Sequence, residues 1–400
     1  MKHNPNKLAF AVDFGRTKEF FLYRNCTTLG TVKQHLTFLF AWFCTSLLAQ
    51  EVSVGKWAVE GNYQVCSFIK HSSKINSVPK SVSHALELNV SQKTFGEKPW
   101  HKGLNFPEIG FAFNYYHFGD NTIFGDAYAI TPFVKFYLFR SKVANAYARL
   151  GYGFGFLTKH YDYLNNPSNN IVGSAVNMAF SFRLGLEWKV SKHVLLNTAF
   201  TFTHFSNGSA KLPNYGINLA VATVGIKVYP HIRSYTYNCA KIRPKKRDEI
   251  ILRYGLGIHQ KNGFNGPTYF AHVASIAYAR YTGVANKVYA GVAFEYIPSI
   301  TDFLYSNDLM SKREAKRNAF ITSLFWGDEI LIGRVGCFVG LGVYIPPSKL
   351  MTKPVYFKTG CNYYLAEFGK RKGFKCFVGM NVKSHTSVAQ YWEVATGMCF

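Results

Sequence analysis

The chain has 400 residues, of which 48% are hydrophobic, 17% aromatic and 17% charged, and its formal net charge is +25. A soluble domain usually carries about 25% charged residues, and a helical membrane protein needs runs of about 18 or more apolar residues. The body of this chain fits neither description. The charge calls for an anionic partner, but the basic residues sit in short clusters between strands without any nucleic-acid motif. That excludes nucleic acid and favours an anionic glycolipid or membrane surface.

In chain order, the first element is a continuous apolar stretch from Leu36 to Leu48, preceded by Lys33 and His35 and ending in Leu47-Leu48-Ala49-Gln50. It reads as a secretory signal peptide cleaved near Ala49 or Gln50. Its distance from Met1 suggests that residues before about Leu29 come from a misassigned start. Lipid attachment at Cys44 is disfavoured by the bulky Ala41-Trp42-Phe43 before it. The expected organisation is an extension and signal peptide over 1–50, a barrel half over 51–229, a basic periplasmic linker over 230–248 and a second barrel half over 249–400. Six cysteines follow the cleavage point, at Cys66, Cys239, Cys337, Cys361, Cys376 and Cys399, without CxxC or zinc-like spacing. They read as small apolar strand residues, and the spacing assigns no disulfide partner.

The strands alternate with period two. Ile109, Phe111, Phe113 and Tyr115 interleave with Gly110, Ala112, Asn114 and Tyr116, and Leu150, Tyr152, Phe154 and Phe156 with Gly151, Gly153 and Gly155. Val335, Val339, Leu341 and Val343 do the same with Gly336, Gly340 and Gly342. Large apolar residues toward lipid and small or polar ones toward a lumen make a transmembrane antiparallel β-barrel. A soluble sandwich also has one apolar face, but the signal peptide and the strand lengths favour the membrane.

About eight strands precede Tyr229 and about eight follow Asp248, giving an all-β chain of about 16 strands in two repeat-like halves. They close as one large barrel or as two eight-stranded ones. The halves share a strand ending in His-x-Ser, a loop, and a strand with Val-Ala-Thr, over Val194–Val228 and Lys375–Phe400. Pro230 to Asp248, rich in Lys and Arg and free of alternation, reads as a periplasmic connection. The terminal strand ending at Phe400 resembles the assembly signal of bacterial outer-membrane barrels.

An even strand count from the periplasm makes Val194–His204 an ascending strand. Leu196, Thr198, Phe200, Phe202 and His204 then share the lipid face, with Ser206 next at the outer headgroup level. An isolated histidine there would be an interfacial strand-end residue. This one lies in Thr203-His204-Phe205-Ser206-Asn207-Gly208, followed by Lys211-Leu212-Pro213-Asn214-Tyr215-Gly216-Ile217-Asn218.

That segment resembles the lipid A 3-O-deacylase family, also called acyloxyacyl-hydrolase-like proteins, in its His-x-Ser-Asn turn and Pro-Asn-x-Gly loop, here Pro213 to Gly216. Weaker similarity takes in Phe106–Gly110 and Gly151–Tyr163 and covers most of Trp57–Tyr229; the second half resembles only the long members. The resemblance implies an integral outer-membrane enzyme that hydrolyses an ester-linked acyl chain of lipid A without a cofactor. Ser206 would be the nucleophile, His204 the general base, and Asn207 and Gly208 the oxyanion donors. A serine hydroxyl needs such a base to become a nucleophile. The departure is Asn218, which stands where the family has an orienting glutamate. An asparagine can fix the imidazole tautomer but lacks the charge that stabilises imidazolium.

The second copy, His385-Thr386-Ser387 with Glu393, faces the other way. Phe374, Cys376, Val378, Met380 and Val382 form its apolar face, leaving His385 and Glu393 in the lumen. Lys370, Arg371 and Lys372 are expected in a periplasmic turn. Lys312, Arg313, Lys316 and Arg317 are expected in an outer loop, as a phosphate-binding cluster or a solvated surface. No metal site or phosphate-binding glycine loop emerges. The rival reading is a non-catalytic channel or structural barrel with a degenerate site, and the oligomeric state is left open.

Overall fold

A strand whose two faces differ in polarity is stable across a membrane only if the sheet closes on itself, because every backbone N–H and C=O must pair without water. The computed structural model describes residues 51–238, 247–261, 263, 265–345, 353–367, 374–386 and 388–400. The Leu36–Leu48 segment, the Lys370–Lys372 run, Cys239 and Ser387 fall outside these residues.

Among the described residues the chain closes twice. After the short β1 (Glu51–Val54) come β2 (Trp57–Phe68), β3 (Ser83–Lys93), helix α1 (Pro99–Gly103), β4 (Glu108–His117) and β5 (Asp126–Arg140). They are followed by β6 (Ala144–Leu157), β7 (Val176–Lys189), β8 (Val194–Ser206) and β9 (Ile217–Val228). Strands β2 to β9 pair antiparallel in sequence order, and β2 pairs back on β9 from Val59↔Val228 to Phe68↔Leu219.

After β10 (Arg233–Thr236) the second barrel runs through β11 (Asp248–Gln260), β12 (Thr268–Tyr281), β13 (Asn286–Tyr296) and helices α2 (Pro298–Ser306) and α3 (Lys312–Asn318). It continues with β14 (Phe320–Ile332), β15 (Val335–Tyr344), β16 (Val355–Glu367), β17 (Lys375–His385) and β18 (Val388–Cys399), and closes by β11 on β18. Of the two closures left open by the strand count, the chain adopts two barrels of eight strands. Within the 230–248 connection, which shows no alternation in sequence, β10 pairs with β1, from Glu51↔Thr236 to Val54↔Arg233.

The faces are sorted as in a membrane wall. Leu86, Phe111 and Phe200 are 57%, 51% and 60% exposed, an arrangement costly in water and favourable against acyl chains. The lumens hold the charge instead. In the first barrel Glu60, Glu87, Glu108 and Glu187 are buried with Lys135, Arg149, Arg183 and Lys227. Arg149 Nη2 and Arg183 Nη1 each donate to Glu87 at 2.7 Å; Lys227 lies 2.6 Å from Glu108, and Lys135 2.7 Å from Glu187. Four negative groups meet four positive ones, which is how a lumen carries charge in a poorly hydrated interior. The second lumen follows suit, with Lys383 on Glu295 at 2.6 Å, Lys287 on Glu329 at 3.2 Å, and Lys358 and Arg253 on Glu393 at 2.7 and 3.3 Å.

Above the first polar plug an apolar cap seals the end that carries the longer loops, the outer end of such barrels. Phe118, Phe124, Ile171, Val172 and Phe205 pack there with Ile75, Ile217 and Leu219. The cap pins the outer loops that carry the site. Asn170 ties the 158–175 loop to the first one, accepting from Asn76 N at 3.0 Å and donating to Lys74 O at 2.6 Å. Cys337 and Cys361 sit opposite one another on β15 and β16 as free thiols, with Sγ atoms 3.3 Å apart.

Candidate active site

Strand β8 rises with Leu195, Asn197, Thr201, Thr203 and Phe205 buried inside, so His204 and Ser206 project from the outer wall. Both are half-buried. In an extended strand residues two apart lie about 6.8 Å apart along one face, within mutual reach of a serine and a histidine side chain. The Ser206 hydroxyl has no hydrogen-bond partner among the described residues, and its cross-strand neighbour is Met178.

His204 is directly opposite Asn218 in the β8–β9 ladder. Its Nδ1 lies 2.5 Å from Asn218 Oδ1. The amide oxygen accepts only, so it holds the proton on Nδ1 and leaves the Nε2 lone pair free. Asn218 Nδ2 in turn lies 2.9 Å from Nδ1 of His71, whose Nε2 lies 3.1 Å from the Tyr215 carbonyl oxygen. His71 lies just beyond β2, and sequence reasoning missed it. The available signal is weak: a lone histidine three residues past a strand end, 147 residues from the side chain it touches.

The loop between β8 and β9 is fixed from within and from the second barrel. Asn207 N donates to Asn214 Oδ1 at 2.9 Å, and its side-chain Nδ2 donates to Ser174 Oγ and Lys211 O, both at 2.8 Å. Asn207 is therefore a brace, its donors already committed, and of the two expected oxyanion donors only the Gly208 N–H has no acceptor among the described residues. Pro213 is buried, and Asn214 bridges Val172 in the capping loop. Gln260 on β11 grips the loop with two bonds, its N–H to Ser209 O at 2.8 Å and its Oε1 accepting from Leu212 N at 2.6 Å. Ser209 Oγ donates to Ala389 O on β18 at 2.7 Å.

Gly216 is forced by the site. Its φ is +82°, and a Cβ there would stand 2.6 Å from His204 Cε1. The loop can pass the imidazole only without a side chain.

The second copy is built differently. His385 Nε2 is 2.8 Å from the buried Tyr344 hydroxyl, and Glu393 is fully buried among Lys358, Arg253 and Asn381. Both belong to the lumen, as the facing pattern predicts. Lys312, Arg313, Lys316 and Arg317 lie on the exposed faces of α3, which is capped by Ser311 and Glu314.

Closed sheets with lipid-facing apolar walls and a polar site at the outer rim define an integral outer-membrane β-barrel protein. The family model described as lipid A 3-O-deacylase (PagL) matches residues 84–227, and that described as acyloxyacyl hydrolase, C-terminal domain, matches residues 216–400. The chain belongs to this lipid A deacylase and acyloxyacyl hydrolase-like family, a family of outer-membrane lipid A hydrolases.

Similar solved structures include the outer membrane enzyme PagL, 14% identical over 42% of this chain and 98% of that one with a TM-score of 0.30. Neisserial surface protein A is 13% identical over 43% and 96%, with a TM-score of 0.28. The N-terminal β-barrel domain of Pseudomonas aeruginosa OprF is 9% identical over 44% and 99%, with a TM-score of 0.27. No curated protein matches the chain.

Proposed function

We propose that the chain is a carboxylic-ester hydrolase that removes an acyl chain from lipid A in the outer leaflet, with Ser206 as nucleophile, His204 as general base and Asn218 as the group that orients the base. The observation that carries this reading is the 2.5 Å contact from His204 Nδ1 to Asn218 Oδ1. It leaves Nε2 as the proton acceptor on the same outer face as Ser206, where an acyl ester in the leaflet would lie. Ser206 Oγ attacks the ester carbonyl while Nε2 takes its proton. The tetrahedral oxyanion forms near the Gly208 N–H, and the sugar hydroxyl leaves with the proton from His204. Water then releases the fatty acid from the acyl-serine by the same sequence.

Asn218 sets the tautomer but supplies no charge to imidazolium, so this reading entails a slower reaction than a glutamate would give. The domain division follows the chemistry: 51–229 carries the site, 230–248 connects, and 249–400 braces the catalytic loop through Gln260 and Ala389. The deciding measurement is mass spectrometry of lipid A from cells carrying the wild type, Ser206→Ala or a deletion. The reading expects an acyl chain missing only with the wild type, and identical lipid A in all three overturns it.

A further inference from the structure

We infer that His71 is a positioning residue that decides, through Asn218, which nitrogen of His204 is free to act as base. The inference rests on the hydrolase reading above. Its starting point is the Tyr215 carbonyl, an obligate acceptor 3.1 Å from His71 Nε2. A lone pair facing that oxygen would be repelled, so in the neutral ring Nε2 carries the hydrogen and Nδ1 carries the lone pair. The atom 2.9 Å from that lone pair must then be the NH₂ of Asn218. An amide has one donor end and one acceptor end, so Oδ1 is turned to His204. His204 consequently holds its proton on Nδ1, and Nε2 is left to accept one from Ser206.

A second approach competes at His71 Nδ1, where the Ile69 carbonyl oxygen lies at 3.3 Å. That contact would need a proton on Nδ1. The shorter contact to Asn218 prevails, and with it the direction of the chain. A glutamate in place of Asn218 would accept at both oxygens and would transmit no such instruction. The dependence on His71 is thus specific to an amide at this position.

Variants at position 71 of the full chain, purified in detergent with lipid A as substrate, separate this role from a merely structural one. His71→Gln keeps an acceptor for the Asn218 NH₂ and should stay within about threefold of the wild type in kcat/KM. His71→Lys offers only donors, turns the amide round and puts the His204 proton on Nε2. An imidazole held in the wrong tautomer costs about 10⁴-fold in the serine proteases, so a fall in kcat of at least about a hundred-fold is expected. In an Asn218→Asp background the carboxylate accepts from both sides, and His71→Lys should then cost less than about threefold.

Heat-modifiable migration reports the folding of each variant. Equal losses for His71→Gln and His71→Lys, or a His71→Lys loss undiminished beside Asn218→Asp, overturn the inference while Ser206-dependent activity keeps the hydrolase reading. Wild-type activity that survives Ser206→Ala removes the hydrolase reading itself, and this inference with it.

Discussion

Replacing Gly216 by alanine tests the site at the point where backbone and imidazole meet. The added methyl would stand 2.6 Å from His204 Cε1, whereas ordinary contact begins at 3.4 Å, so the ring has to retreat by about 0.8 Å. Phe205 O, 3.1 Å from the same methyl, closes the opposite escape. Cε1 lies between the two ring nitrogens, so the 2.5 Å contact of Nδ1 with Asn218 stretches toward about 3.3 Å, at the weak end of hydrogen bonding, and Nε2 shifts relative to Ser206. Displacements near 1 Å cost about a hundred-fold in rate. The positive φ adds about 1–2 kcal/mol of strain for a residue with a Cβ, which a closed barrel tolerates. The expected outcome is a folded protein, judged by heat-modifiable migration, whose initial rate of fatty-acid release from lipid A falls about a hundred-fold. A folded Gly216→Ala protein within about threefold of the wild type would refute the argument that His204 is seated by this contact.

Three further predictions address the plug and the base. Glu87→Ala strands the buried guanidinium groups of Arg149 and Arg183 and should lower stability by about 3–5 kcal/mol; an unchanged urea midpoint in detergent micelles would contradict the pairing. Because buried charged pairs occupy both lumens and an apolar cap closes the first, the protein should give no stepwise conductance in planar bilayers, and porin-like steps would return the channel reading to first place. Asn218→Glu should raise kcat, since a carboxylate about 4 Å from imidazolium is worth at most about 4 kcal/mol at an effective dielectric constant of 20, a ceiling of about a thousand-fold. A fall in rate would show that the donor to His71 matters more than the charge.

How much of this was legible in the sequence depended on range. The alternation over Leu150–Phe156 and the facing of His204 needed only neighbours in the chain, and the strands follow them. The choice between one barrel and two turned on whether β2 pairs with β9 or with a later strand, and alternation looks the same in both cases. The match of Glu87 with Arg149 and Arg183 spans 62 and 96 residues and requires knowing which side chains share a level inside the lumen. β10 escaped notice because four residues are too few to show a period and its partner β1 lies at the other end of the half. The Asn207 motif position was visible, but not that its donors were already taken by Asn214, Ser174 and Lys211. His71 carries no periodic signal and became visible only through its contact with Asn218.

The grip of the second barrel on the loop after β8 has a consequence for traffic in the leaflet. Trp392 and Met178 stand against Gly208, at 2.9 and 3.1 Å from the point where its Cβ would be. Met178, the cross-strand neighbour of Ser206 on β7, and Trp392 of β18 thus close around the turn that follows Ser206. On the hydrolase reading, a glycolipid diffusing in two dimensions toward Ser206 from the side of that turn would meet the second barrel first. If that reading holds, the direction of travel as well as the fit at the ester would select the acyl chain that meets Ser206.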